Sequence, residues 1–154
     1  HFGQMMRLKK IPREDFIVYL SDRLQEYFPA TYNQIANSIL DYTDCHPYYT
    51  QQLSATVWQM VVLQPNIQDV LSLSIQQIIE THNLDYERLW INFNRTNKWI
   101  LQRLALNESL QRAEYPTSTI YSALKKLQKA GVVIYSSHYE IEDPFFRDWI
   151  AQRA

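Results

Sequence analysis

In the stretch DYTDCHPYYTQQL, residues 41–53, the chain's single cysteine, Cys45, stands directly before His46. That pairing admits two reactive chemistries. An imidazole base beside a thiol can generate a nucleophilic thiolate. A thiolate and an imidazole are also two of the four ligands that a structural zinc takes. Neither chemistry is completed locally. Neighbouring residues in a chain usually point apart, so His46 is badly placed as a base for Cys45. The other histidines, His1, His82 and His138, are scattered singly and supply no ligand spacing. A plainer reading is a helix start. His46 closes a loop, Pro47 takes the first helical position, where its missing N–H leaves no bond unmade, and Tyr48 and Tyr49 begin packing.

A second group of candidates lies in TSTIYSALKKLQKAG, residues 117–131. With Ile120, Leu124 and Leu127 turned inward at helical spacing, Thr119, Ser122, Lys126 and Lys129 form an outward row, flanked by Lys125. Charge is sorted toward this helix. Residues 95–131 carry seven basic and two acidic side chains, a local net of +5, while residues 1–94 net −4 and residues 132–154 net −2. A helix that enters a DNA groove uses such polar and basic residues. No arginine on this helix offers the bidentate fork for guanine, and lysines are also the ordinary choice for a solvated face.

Two further groups read as structural. Glu140, Glu142 and Asp143 lack the spaced, convergent partner that general acid–base chemistry needs; Asp143 followed by Pro144 reads instead as a helix cap. Trp90, Phe93, Trp99, Phe145, Phe146 and Trp149 could line a ligand pocket, but their spacing predicts core, with Trp149 clamping the last helix.

Composition bounds what these residues can belong to. Apolar residues make up 46% of 154, enough to build a packed core and to exclude disorder. The net charge of −1 gives no global pull toward nucleic acid or an anionic membrane. One cysteine excludes an internal disulfide framework and is in keeping with a reducing compartment. No apolar run approaches the ~18 residues of a membrane span, so no membrane partner is expected, and no leader pattern is read at the start. The chain opens on His1 rather than methionine, which raises the expectation of a piece from a longer protein. The two glycines, Gly3 and Gly131, are the most restrictive count. Phosphate-cradling loops need clustered glycines for close backbone approach. Neither glycine has a second nearby or a lysine after it, so nucleotide hydrolysis by this chain alone is not expected.

The elements that must position these residues are mostly helices. MMRLKKI (5–11) reads as a short strand. REDFIVYLSDRLQEYF repeats apolar residues at helical spacing through Phe16, Ile17, Leu20, Leu24 and Phe28, up to Pro29. Thr31 and Gln34 have capping-box spacing ahead of a stripe of Ile35, Ile39 and Tyr42. A helix from Pro47 keeps its apolar pattern through Leu53, Val57, Met60 and Val61 and stops before Pro65. Asn66 and Asp69 cap the run IQDVLSLSIQQIIETH. The first ~83 residues thus read as a small bundle of four helices. From Asn83 a long aromatic helix follows, broken near Asn94, then the turn-like NESLQRAEYP. Thr117 or Ser118 caps the next helix, and Gly131 provides its left-handed C-terminal cap. VVIYSS and HYEI pair as a hairpin, and Asp143 and Pro144 open a last helix. The expected fold is mainly α: a helical bundle over 1–83, then a winged helix-turn-helix with a short β-hairpin over 84–154.

Three segments, in this order, carry a resemblance to a known family: HPYYTQQLSATVW (46–58), KWILQRLAL (98–106) and YEIEDPFFRDWI (139–150). They resemble, respectively, the small-Pro-Tyr-Tyr head of a lid helix, the first helix of an appended winged domain, and a strand followed by an Asp-Pro-aromatic and Trp signature. Together they resemble the C-terminal part of prokaryotic AAA-type ATPases of the STAND and archaeal-ATPase kind. FGQMMRLKKIPREDF (2–16) is similar to the junction where the last core strand enters the lid. The resemblance implies a cytoplasmic regulatory fragment, not itself an enzyme, with no cofactor of its own. ATP and Mg would be held by the fragment's own upstream ATPase core, whose phosphate loop, Walker acid and sensor strands would precede residue 1. It implies that Pro47, with His46 and Tyr48, lies against the adenine when the lid closes. Cys45 occupies the place where that family has glycine, and cysteine resists the dihedrals of close approach. The winged domain would act through intramolecular contacts, another protein or DNA. The alternatives are a stand-alone winged-helix DNA-binding regulator and a plain protein-interaction module.

Overall fold

Prolines and left-handed residues punctuate the helices of this chain, and the computed structural model, which describes residues 11–111 and 114–154, shows where each one acts. The expected strand at 5–11 and most of the 2–16 junction lie outside the described residues. Among the described residues the chain is mainly helical with one two-stranded antiparallel hairpin. It divides into two compact units that meet between Glu80 and Thr81.

The first unit holds four helices: α1 (Arg13–Leu24), α2 (Tyr32–Thr43), α3 (Pro47–Leu63) and α4 (Val70–Thr81, whose last residue falls past the boundary). Their apolar stripes meet in a core of Phe16, Leu20 and Leu24 from α1, Ala36, Ile39 and Leu40 from α2, and Tyr49, Leu53, Val57 and Val61 from α3. α1 ends at Leu24, one turn short of the expected Phe28, which is half-buried in the turn that follows. Arg13 ties α1 to α2: its guanidinium lies 2.8 Å from the Asp41 carboxylate and donates to the Asn37 side-chain carbonyl at 2.9 Å. The capping-box spacing at Thr31 and Gln34 is not used. Thr31 occupies the N-cap position without a side-chain bond, because its backbone is already held in the preceding turn by its N–H to the Phe28 carbonyl. α4 starts at Val70, later than its apolar pattern, since Asp69 adopts a left-handed φ of 55° that no helix interior tolerates.

The second unit runs α5 (Asn83–Ile91), α6 (Arg95–Ala105), α7 (Thr117–Lys129), β1 (Val133–Tyr135), β2 (Tyr139–Ile141) and α8 (Pro144–Ala151). The break near Asn94 is a helix start. The Asn94 carboxamide accepts from the Asn97 N–H at 2.8 Å and caps α6. α7 buries Ile120, Ala123, Leu124 and Leu127, as its spacing requires. Neither Thr117 nor Ser118 caps it. Pro116 holds the N-cap position, and Thr117 is already helical. At its other end Gly131, at φ 81°, closes a Schellman turn: the Val132 N–H reaches the Leu127 carbonyl at 2.9 Å and the Gly131 N–H that of Gln128 at 3.0 Å. The chain then enters the hairpin, in register Val133 with Ile141, Ile134 with Glu140, and Tyr135 with Tyr139.

α8 locks this unit. Its Asp143 cap accepts from the Phe145 N–H at 2.9 Å and the Phe146 N–H at 3.3 Å. Phe145, Phe146, Trp149 and Ile150 are buried. Trp149 stacks on Phe146, donates its indole N–H to the Asn83 side-chain carbonyl at 2.9 Å, and carries the Arg153 guanidinium 4.0 Å over its ring. Of the remaining aromatics expected in the core, Trp90, Phe93 and Trp99 are half-buried.

Candidate functional site

The α2–α3 turn is built from its hydrogen bonds outward. Asp44 ends α2 in the left-handed region, and the Leu40 carbonyl accepts from both the Asp44 and the Cys45 N–H groups. Cys45 is itself left-handed, at φ 58°. It therefore takes the conformation that its side chain disfavours and that glycine would adopt freely. His46 returns to an extended conformation at the N-cap, and Pro47 is the first residue of α3. Two threonines brace the turn beneath. The buried Thr43 and Thr50 hydroxyls are 2.6 Å apart, and Thr43 also donates to the Ile39 carbonyl at 3.0 Å. Because a hydroxyl has one proton, Thr50 is the donor to Thr43. This pair, seven residues apart across the turn, was not singled out from the sequence. Its spacing only acquires meaning once two left-handed residues reverse the chain.

His46, Pro47 and Tyr48 are thus brought together at one helix N-terminus, in different settings. The His46 ring lies against Tyr49, with centroids 4.6 Å apart. Tyr49 is buried, but Tyr48 is 55% exposed and meets Tyr49 only edge-on. The expectation that both tyrosines pack is corrected for Tyr48: successive helical residues point about 100° apart, so only one of the pair can face the core. Pro47 is half-buried. Cys45 is a half-buried free thiol. No group of three or more His, Cys, Asp or Glu side chains suited to a metal occurs among the described residues.

On α7, Thr119, Ser122, Lys125, Lys126 and Lys129 are all exposed. They share the face opposite the buried stripe, as the spacing requires. The connection into α7 differs from that of a helix-turn-helix. Residues 106–116, between α6 and α7, form turns with no helix among the described residues, whereas a helix-turn-helix joins its two helices through about 3–4 residues. Tyrosines, moreover, lie beside the first lysine of the row. Lys125 sits 5.2 Å over the Tyr121 ring, one helical turn away. The Tyr121 and Tyr139 phenols raise the Lys125 ammonium above its ordinary pKa, Tyr121 contributing more. Tyr139 pairs with Tyr135 across the hairpin at 4.7 Å. Sequence reasoning missed this cluster. Its signals were the i, i+4 spacing of Tyr121 and Lys125 and the two tyrosines flanking the turn in YSSHY.

Asp143 is tied into the structure by hydrogen bonds from three donors. Burial pushes its carboxyl above the ordinary value of 3.8, opposed by the Tyr86 hydroxyl, which donates at 2.8 Å, by the Phe146 and Phe145 N–H groups, and by His82. A cleft of about 390 Å³ in the first unit is lined by Phe16, Tyr19, Arg23, Thr50 and Trp58 among others. None of the sequence-predicted site residues lies on it.

No protein-family model, no curated protein and no solved structure matches this chain.

Proposed function

We propose that this chain is the regulatory end of a nucleotide-dependent switch: a lid-like helical bundle followed by a winged-helix output unit of an AAA/STAND-type ATPase. The observation that carries the reading is the left-handed Cys45 before Pro47 at the head of α3. A turn of this shape lets a proline face lie flat against a ligand. Pro47 and the exposed Tyr48 would offer apolar faces to an adenine, while His46, lying against Tyr49, would hold the turn. Bound ATP with Mg would supply the phosphate that is hydrolysed, and the residues that hold the phosphates would belong to a core upstream of His1. A prokaryotic cytoplasmic setting belongs to the same reading. No helix of the described residues is long and apolar enough to cross a membrane.

The test has two parts. Reading the coding sequence upstream of His1 should uncover a glycine-rich loop ending in Lys-Ser or Lys-Thr; its absence sinks the proposal. In the whole protein Tyr48→Ala should weaken ATP binding about threefold to tenfold, the range of a lost aromatic stack worth ~0.5–1.5 kcal/mol. The 154-residue chain alone should give no calorimetric binding of ATP below millimolar concentration. Submillimolar affinity there would contradict the assignment of phosphate binding to another segment. The competing readings are a stand-alone DNA-binding regulator, with the helical bundle as dimer or ligand domain, and a plain protein-interaction module; both predict no glycine-rich phosphate loop upstream of His1.

A further inference from the structure

Four side chains on α7 and the hairpin packed against it form two close pairs. Tyr121 lies under the Lys125 ammonium at 5.2 Å, Lys125 is in electrostatic reach of Tyr139, and Tyr139 meets Tyr135 at 4.7 Å. Tyr121 is 57% exposed and Tyr135 56%. Flat aromatic rings left open to water on a short hairpin contribute little to a core.

The strand alternation puts Glu140 on the other face of the hairpin from Tyr135 and Tyr139. Tyr135 and Tyr139 share a sheet face with the buried pair Val133 and Ile141, two residues along, whereas Ile134 and Glu140 point to the other face. There His138 stands 3.6 Å from the Glu140 carboxylate. Lys125 borders the tyrosine face, and the exposed Lys126 and Lys129 follow on the same helix, in residues 95–131 with their local net charge of +5, while the hairpin itself belongs to residues 132–154 with a net of −2. Open π-faces beside a row of ammonium groups match the chemistry of an unpaired nucleic-acid strand: bases stack on the rings, and phosphates follow the lysines. A duplex hides its base faces inside the stack and offers these rings nothing but its edges.

We infer that Tyr121, Tyr135 and Tyr139, with Lys125, form a stacking platform for unpaired nucleobases, and that Lys126 and Lys129 neutralise the adjoining phosphates. This surface belongs to the second unit alone and is independent of the nucleotide reading of Pro47 and Tyr48.

The experiment is fluorescence anisotropy of the full chain with fluorescein-labelled oligothymidine, oligouridine and a duplex of equal length, across a salt series. Binding to the single strands is expected, with preference over the duplex; the thymidine and uridine arms show whether DNA or RNA is favoured. Tyr121→Leu and Tyr135→Leu should each weaken binding about fivefold to a hundredfold, the span of one lost base stack. Tyr121→Phe, which keeps the ring, should retain it. Lys126→Ala should flatten the salt dependence by about 0.7 in the log–log slope for each phosphate it no longer neutralises. Because the substituted rings are exposed, thermal melts should be unchanged and confirm that each variant is folded. Absence of single-strand binding at low salt overturns the inference. So does duplex binding equal to or tighter than single-strand binding, and so does binding insensitive to the leucine variants, which would reduce the surface to lysine electrostatics.

Discussion

Cys45 shows how much a single residue's backbone can say that its side chain conceals. In the sequence it invites a reactive reading beside His46; in the structure its notable property is a left-handed φ of 58°. A non-glycine residue there carries about 1–2 kcal/mol of strain, against which glycine would lose about 0.5–1 kcal/mol in chain entropy. Cys45→Gly is therefore expected to stabilise the chain by about 0.5–1 kcal/mol, measured as an increase in the urea midpoint at constant slope. A destabilised variant would show that the half-buried thiol contributes more by packing than the turn loses by strain. Asp143 makes the opposite point, since its side chain holds the start of a helix. Its folded pKa is raised by burial, so ionisation is harder in the folded state than in the unfolded one. The associated stability is present below the ordinary value of 3.8 and is lost as pH rises through the higher folded value. Asp143→Asn keeps a cap and removes the charge. It should gain stability relative to the native chain as pH rises from about 3.8 through that window, and hold the gain at neutral pH. Asp143→Ala should lose about 1–2 kcal/mol at any pH where the cap is made, through the unsatisfied Phe145 and Phe146 N–H groups. Denaturant titrations of the three proteins across pH check both signs.

At the scale of elements, the terminal helix is tied to the first helix of its unit. α8 buries Trp149, Phe145 and Phe146, and the Trp149 indole reaches Asn83 at the head of α5. Trp149→Ala empties a site 2% exposed to water and also leaves the Asn83 side-chain carbonyl with one donor fewer. The expected loss is about 3–5 kcal/mol, read from chemical denaturation. A change in melting temperature under about one degree would mean that the indole is not part of the core. The helices of this unit were legible because their apolar residues repeat at helical spacing, and Ile120, Leu124 and Leu127 lie where that spacing puts them. Their ends were less legible. The Thr117 and Thr31 caps were expected from residue type, but a preceding proline at one site and a preceding turn at the other had already satisfied the geometry. Capping is a competition among neighbours, and a residue's preference does not decide it alone.

At the scale of the whole molecule, two compact units follow one another among the described residues, the second from Thr81 to Ala154. Each has its own buried set: Ile39, Leu53 and Val57 in the first, and Ile100, Leu101, Phe145 and Trp149 in the second. A segment of residues 81–154 is therefore expected to fold alone, with helical circular dichroism and one cooperative thermal transition. A non-cooperative melt of that segment would show that its core is incomplete. The mainly helical class, the hairpin and its place before the last helix were determined by the sequence, because hydrophobic period, Pro47, Gly131 and the Asp143–Pro144 pair act locally. The outward lysine row on α7 was determined in the same way. Only the tertiary structure decided that Cys45 is left-handed, that Thr43 and Thr50 meet beneath it, and that Tyr121 and Tyr139 act on one lysine, with Tyr135 against Tyr139. Those arrangements arise where separate elements or both sides of a turn come together, and the periodicity of any one segment holds no record of its neighbours.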